Sequence, residues 1–135
     1  MEYEIIEINE LKYAEQIKDL FKELYWAKDR KTDEIEHQIK NSINVGIVYN
    51  KELIAYARAI TDYKFISTIL DVVVSKEYRG KGLGAKVIIA LLEHPKLKNV
   101  VQHELYCKDN NIEFYKKLGF ELKEELNFMR LNRHS

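Results

Sequence analysis

Six consecutive residues, Arg79-Gly80-Lys81-Gly82-Leu83-Gly84, combine glycine and positive charge at a spacing that can hold an anion. Glycine lets the backbone come close to a ligand and adopt positive φ, which a residue with a Cβ does only at a cost. Just before this run stands a β-branched stretch, Asp71 to Ser75, and just after it an apolar-periodic one, Gly84 to Glu93. The order is therefore strand, loop, helix. A helix that starts beyond a glycine turn offers unpaired N–H groups and the positive end of its dipole, and both favour phosphate. Charge agrees: Lys76, Arg79, Lys81 and Lys86 face only Glu77 within this stretch, whereas the whole chain is formally neutral.

Spacing separates this loop from other phosphate-binding turns. A Walker loop ends in Gly-Lys-Ser/Thr with the hydroxyl on magnesium, but Lys81 is followed by Gly82. A Rossmann turn carries G-x-G-x-x-G early in a βαβ unit, and the alternation Gly80, Gly82, Gly84 does not match it. The pattern R-x-x-G-x-G after a V-x-V strand instead resembles the coenzyme A pyrophosphate loop of the GCN5-related N-acetyltransferases. Phe114-Tyr115-Lys116-Lys117-Leu118-Gly119-Phe120 is similar to the F-Y-x-K-x-G-F segment that closes the same fold. Tyr25-Trp26-Ala27-Lys28-Asp29-Arg30, Ala57-Arg58-Ala59-Ile60-Thr61-Asp62 and His94-Pro95-x-Leu97 resemble a subgroup of small bacterial members whose substrate is generally unassigned. The likeness covers nearly the whole chain.

The resemblance implies an α/β (α+β) fold, with a mostly antiparallel sheet, a parallel and splayed pair formed by the fourth and fifth strands, and about four helices. It implies acetyl-CoA as co-substrate and transfer of the acetyl group to a primary amine of a small molecule or peptide by direct attack in a ternary complex. The pantetheine arm would pair with Val72, Val73 and Val74, and the pyrophosphate would lie on Arg79, Gly80, Lys81, Gly82, Leu83, Gly84 and Ala85. A backbone N–H near Val72 would stabilise the oxyanion, and preorganised donors of this kind contribute about 3 kcal/mol. Tyr115 matches the family tyrosine that protonates the departing thiolate, with an aromatic on the packed face of a short helix as the alternative. An attacking amine must be neutral although a free lysine-like amine has a pKa near ~10.4. Asp71, where the fourth strand would meet the acetyl group, is the first candidate base; it could equally be a structural aspartate. His103 and Glu104 are lesser candidates. One position departs from the family pattern: Lys108 stands where many members carry a coenzyme-contacting asparagine, with Asn110 and Asn111 nearby but out of register. A non-catalytic domain that binds or senses acyl-CoA would have the same pyrophosphate loop.

The remaining residues set the bounds. A chain of 135 residues reads as a single domain, which at this size buries roughly two-thirds of its unfolded surface. Equal numbers of basic and acidic residues, 22 and 22, argue against a generic nucleic-acid binder. No run approaches the ~18 apolar residues of a membrane helix, and the acidic start MEYEIIEINE lacks a signal region, so a cytoplasmic location is expected. One cysteine, Cys107, excludes an intramolecular disulfide and reads as a small buried hydrophobe. The histidines are scattered without metal-ligand spacing, so no metal is expected.

Periodicity supplies the elements that must hold the loop. Tyr3 to Ile8 reads as a first strand and Lys12 to Tyr25 as an amphipathic helix. Thr32 caps a second helix continued by Ile35, Ile39 and Ile43. Between the two helices, exposed Tyr25 and Trp26 could wall an acceptor site or cap the core. Val45–Tyr49 and Glu52–Thr61 form a hairpin about Asn50-Lys51, with Arg58 in the second strand a weak acceptor-site candidate and more simply a solvent-facing or paired residue. Phe65–Val74 is the fourth strand, Val100–Cys107 the fifth, and Asn110–Leu118 the last helix. A strand-helix-strand link of this length makes the fourth and fifth strands parallel. Phe120–Leu126 and Asn127–Arg133 are expected to close the sheet. Edge strands at that end offer a route to a homodimer.

Overall fold

The computed structural model describes residues 2–134. The chain divides into two compact units, Met1–Glu104 and Leu105–Ser135. The first holds a five-stranded sheet in the order β1 (Glu4–Glu7), β2 (Ile43–Tyr49), β3 (Glu52–Thr61), β4 (Ile66–Val74), β5 (Gln102–Glu104). Strands β1 to β4 pair antiparallel, and β4 pairs parallel with β5. The hairpin between β2 and β3 turns at Asn50 and Lys51, both at positive φ (53° and 65°), the backbone that a two-residue turn needs to match strand twist. The next turn is held by the Asp62 carboxylate, which accepts the backbone N–H groups of Lys64, Phe65 and Ile66.

Strand β3 shows why the sheet needs helices on both faces. Leu53, Ile54, Ala55, Tyr56 and Ala57 are all buried in succession, so side chains pointing to either face must be covered. Helices α1 (Ala14–Phe21) and α2 (Thr32–Asn41) cover one face, where Ile17, Leu20, Phe21, Ile35 and Ile39 form one cluster with Leu53, Tyr56 and Val73. Helix α3 (Leu83–Leu92) packs against β2, β3 and β4 through Leu83, Val87, Ile88 and Leu91, outside that cluster. Helix α2 starts one residue earlier than the expected cap: Lys31 is the N-cap, its N–H donating to Glu34 Oε1 at 2.8 Å, while the Thr32 hydroxyl donates to Glu15.

The second unit contains helix α4 (Ile112–Lys117) after a single 3₁₀ turn at Asp109–Asn111. Neither Phe120–Leu126 nor Asn127–Arg133 forms a strand. A strand needs a neighbour for its N–H and C=O groups as well as apolar side chains, and no ladder forms there. The fifth strand ends at Glu104 rather than Cys107, and Cys107 is exposed rather than buried. No helix among the described residues is long and apolar enough to cross a membrane.

Phe21 is fully buried and meets the Tyr56 ring edge-on, with centroids 5.7 Å apart. Replacing Phe21 with Ala should cost about 3–5 kcal/mol, read as a lower denaturant midpoint with an unchanged m-value.

Candidate active site

Strand β4 carries both halves of the site. At its C-terminal end the chain makes a 3₁₀ turn (Lys76–Tyr78) and then places Gly80 and Gly82 at φ values of 80° and 79°. Gly82 is the N-cap of α3 and Leu83 its first residue, 1% exposed, so one apolar side chain anchors the helix start while the glycines stay at the surface. A Cβ on Gly80 or Gly82 would meet nothing within 4 Å, so there is room above the loop, but the left-handed backbone disfavours any other residue. Lys81 is exposed and Gly84 and Ala85 half-buried. The arrangement is an open helix N-terminus behind a cationic turn, as the sequence indicates.

Midway along β4 the ladder is interrupted. Tyr56 pairs with Val73 and Arg58 with Leu70, so Ala57 on β3 stands opposite two residues, Asp71 and Val72. Asp71 has φ 57°. This is a β-bulge whose first residue takes the left-handed conformation, a position usually given to glycine; aspartate tolerates it better than most, at a cost of about 1–3 kcal/mol. A bulge interrupts the regular ladder and re-aims its neighbours, and here Asp71 and Val72 both lie outside the paired register. Val72 and Val74 are half-buried, whereas Val73 points into the core.

The Asp71 carboxylate is 5% exposed and fully committed. Oδ1 accepts Trp26 Nε1–H at 2.9 Å; Oδ2 accepts Arg30 at 2.7 Å and Arg58 Nε–H at 2.5 Å. Burial alone raises the carboxyl pKa, but the bonds and charges of the two arginines, together with Trp26, outweigh it and hold the group below its ordinary value of 3.8. A carboxylate held this way is a poor proton acceptor. The base role expected of Asp71 therefore conflicts with its surroundings, while its alternative role as a structural aspartate matches them, through side-chain partners.

From these arginines a buried polar chain runs inward. Arg30 also donates to Gln38 Oε1 (2.9 Å), Gln38 Nε2 donates to the Tyr56 hydroxyl (3.0 Å), and that hydroxyl donates to Asn44 Oδ1 (2.5 Å). Asn44 Nδ2 ends the chain on the carbonyls of Ile39 and Ser42, and Arg58 reaches the Ser42 hydroxyl. Burial pushes the Tyr56 hydroxyl pKa up, so it stays a donor. No buried side-chain N or O among the described residues lacks a partner.

Between α1 and α2 the backbone runs through successive turns, with Leu24 and Ala27 buried and Tyr25 and Trp26 turned outward, 83% and 58% exposed. Trp26 thus joins Asp71 by its indole N–H while showing an aromatic face to solvent. Tyr25 makes no hydrogen bond to this group and lies under Lys28. Of the three acceptor-site candidates, Trp26 and Arg58 come together on Asp71 and Tyr25 does not. Across the β4/β5 pair, the Ser67 hydroxyl lies 2.5 Å from His103 Nδ1, and burial lowers the imidazole pKa, which favours its neutral form. In the second unit Tyr115 packs edge-on between Phe114 and Phe120, and burial pushes its hydroxyl up to about 12. Lys108, Asn110 and Asn111 are exposed there.

Sequence reasoning missed Arg30, Gln38, Asn44 and Tyr56 as site residues. A signal existed for the ion pair: Asp71 within LDVVV and Arg58 within AYARAI are opposite charges in strands otherwise built for burial, and buried charges pair. The bulge had none, because no glycine marks it.

The sheet thus carries a glycine loop at a helix N-terminus and a bulge on the strand that feeds it. The chain belongs to the acetyltransferase (GNAT) family, whose model matches residues 10–120. It is 32% identical over 110 residues to an uncharacterized N-acetyltransferase, ycf52, of Pyropia yezoensis, covering 78% of this chain and 63% of that protein. It is 36% identical over 89 residues to the histone acetyltransferase TAP1 of Glycine max, covering 66% of this chain and 38% of that protein. The chain thus spans less than two-thirds of the length of these curated relatives. A crystal structure assigned to the GNAT family from Xanthomonas campestris superposes with a TM-score of 0.84 at 25% identity, covering 97% of this chain and 94% of that one. The aminoglycoside N-acetyltransferase AAC(6′)-Iy in complex with CoA shares the fold at a TM-score of 0.77 and 17% identity, covering 98% and 96% of the two chains.

Replacing Asp71 with Asn leaves two half-buried guanidiniums without their anion and should cost about 3 kcal/mol, the lower end for breaking a buried pair. Because the folded pKa lies below the unfolded one, the stabilisation is present above the ordinary carboxyl value of 3.8 and is lost as pH falls through the depressed folded value. Denaturant midpoints measured from pH 7 down to pH 3 should show this component in the wild type and not in Asp71→Asn.

Proposed function

We propose that this chain is an acetyl-CoA-dependent N-acetyltransferase for a primary amine of a small molecule or peptide, acting by direct attack in a ternary complex. The observation that carries the reading is the bulge at Asp71–Val72 on the same strand that ends in the glycine loop. Val72, Val73 and Val74 would align the pantetheine arm, while the loop and the first residues of α3, from Arg79 to Ala85, would hold the pyrophosphate. The amine nitrogen attacks the thioester carbonyl; a C–N bond forms, the carbonyl oxygen gains charge, and the N–H of Val72 would donate to it. Collapse breaks the C–S bond; the thiolate takes a proton from the acid, and the nitrogen gives one up through water, which restores the acid. Tyr115 is the candidate donor, since a hydroxyl pushed up to about 12 keeps its proton at neutral pH. Loss of a proton by the amine is favoured by charge: two guanidiniums, Arg30 and Arg58, surround one carboxylate, Asp71. That excess positive charge lowers the pKa of a nearby ammonium group. Asp71 then acts as the anchor of the acceptor wall, with Trp26 and Arg58 on it, instead of as the base.

One observation favours the second reading, a domain that binds or senses acyl-CoA without turnover: the Asp71 carboxylate is not free to take a proton. Thiol release with a panel of amines decides between the two. A cytoplasmic location is proposed with either.

Calorimetry should show acetyl-CoA and free CoA binding to the wild type and not to Gly82→Asp, which adds a side chain at φ 79° and a negative charge at the anion site. No binding by the wild type would overturn both readings. Tyr115→Phe should leave coenzyme binding unchanged and slow turnover by about 10²-fold or more; intact turnover would remove Tyr115 as the acid.

A further inference from the structure

Arg79, the first residue of the glycine loop, is already bonded. Its NH2 group donates to Glu23 Oε1 at 2.8 Å and its Nε–H to the carbonyl of Val74 at 3.2 Å. Glu23 lies in the segment between α1 and α2, three residues before Trp26 and seven before Arg30. That one stretch is pinned at two places on the site: Glu23 on the loop, Trp26 and Arg30 on Asp71 at the bulge. Leu24 and Ala27 are buried between the two, and the intervening turns are hydrogen-bonded (Ala27 N to Leu24 O, 3.0 Å; Arg30 N to Ala27 O, 3.1 Å). A shift at one end of so short and so tied a segment is felt at the other.

We infer that Glu23 is a positioning residue that couples occupancy of the coenzyme loop to the setting of Trp26 and Arg30 at the bulge. The inference rests on the loop binding the coenzyme's pyrophosphate. Glu23 puts a negative charge beside an anion site, bound to a guanidinium that an arriving diphosphate also attracts. Arg79 is half-exposed, with N–H groups beyond those used by Glu23 and Val74. A diphosphate taking those groups weakens the hold on Glu23 and repels its carboxylate. The segment relaxes, and Trp26 and Arg30 reset where the acceptor enters. Linkage is reciprocal: the energy spent in displacing Glu23 is subtracted from coenzyme binding.

The chain has one tryptophan, Trp26, so its emission reports the far end of the segment without labelling. Two probes are used, CoA and ADP; ADP carries the diphosphate but no pantetheine arm to touch Trp26. In the wild type, Trp26 emission should change with both probes at concentrations where calorimetry shows the loop occupied. In Glu23→Gln, CoA should bind about two- to fivefold tighter, the scale of an exposed ion pair, and the Trp26 response to ADP should vanish. Lys22→Gln, next to Glu23 and paired only with Asp19 among the described residues, should behave as wild type and serves as the folding control. A Trp26 response to CoA but not to ADP would mean direct contact with the arm and would overturn the coupling. So would equal or weaker CoA binding by Glu23→Gln with the ADP response retained. Failure of CoA to bind the wild type would instead overturn the coenzyme site itself.

Discussion

The Asp71 carboxylate is the interaction on which the site depends. It is a buried anion on a residue whose backbone sits in the left-handed region, and both conditions cost free energy unless something compensates. Compensation comes from two guanidiniums and an indole N–H that arrive from two different parts of the chain: the α1–α2 segment gives Trp26 and Arg30, strand β3 gives Arg58. Each donor helps to hold the bulge, and the bulge in turn fixes where Val72 lies. Removing the anion would leave two cations facing each other, so the group is kept or lost as a whole.

Strand β4 divides the labour between its middle and its end. The middle is irregular and tied to side chains, and the end runs out into backbone conformations that only glycine takes readily. Helix α3 is docked by Leu83, Val87, Ile88 and Leu91, which fixes its N-terminus over that end of the strand without using any polar group of the loop. The two halves thus rest on different physical means: a helix dipole with open N–H groups at the loop, a satisfied charge cluster at the bulge.

Much of the fold was legible because periodicity and turn chemistry act locally. Strand β3 has the bounds read from the sequence, β2 and β4 differ by one or two residues, and the parallel β4/β5 pairing follows from the length of the crossover. The end of the chain was not legible in the same way. Phe120–Leu126 and Asn127–Arg133 contain apolar residues that a closing strand could use, yet those residues say nothing of whether a partner strand is there. Cys107, expected as a small buried hydrophobe, is exposed, and the fifth strand stops at Glu104 before reaching it.

The sequence by itself determined the glycine loop, its charge and the helix behind it, since strand, turn and helix are contiguous and each follows from residues within a few positions. It also determined that Asp71 and Arg58 would be unusual, as charges among residues suited to burial. Only the tertiary structure decided what Asp71 does. Its partners Trp26 and Arg30 lie 45 and 41 positions away in the chain, and the bulge arises from the register between β3 and β4. Neither is encoded at the residue itself. Pairing over such distances is set by how helices α1 and α2 pack on the sheet, which places the indole and the guanidiniums on one carboxylate and turns a candidate base into the anchor of the site.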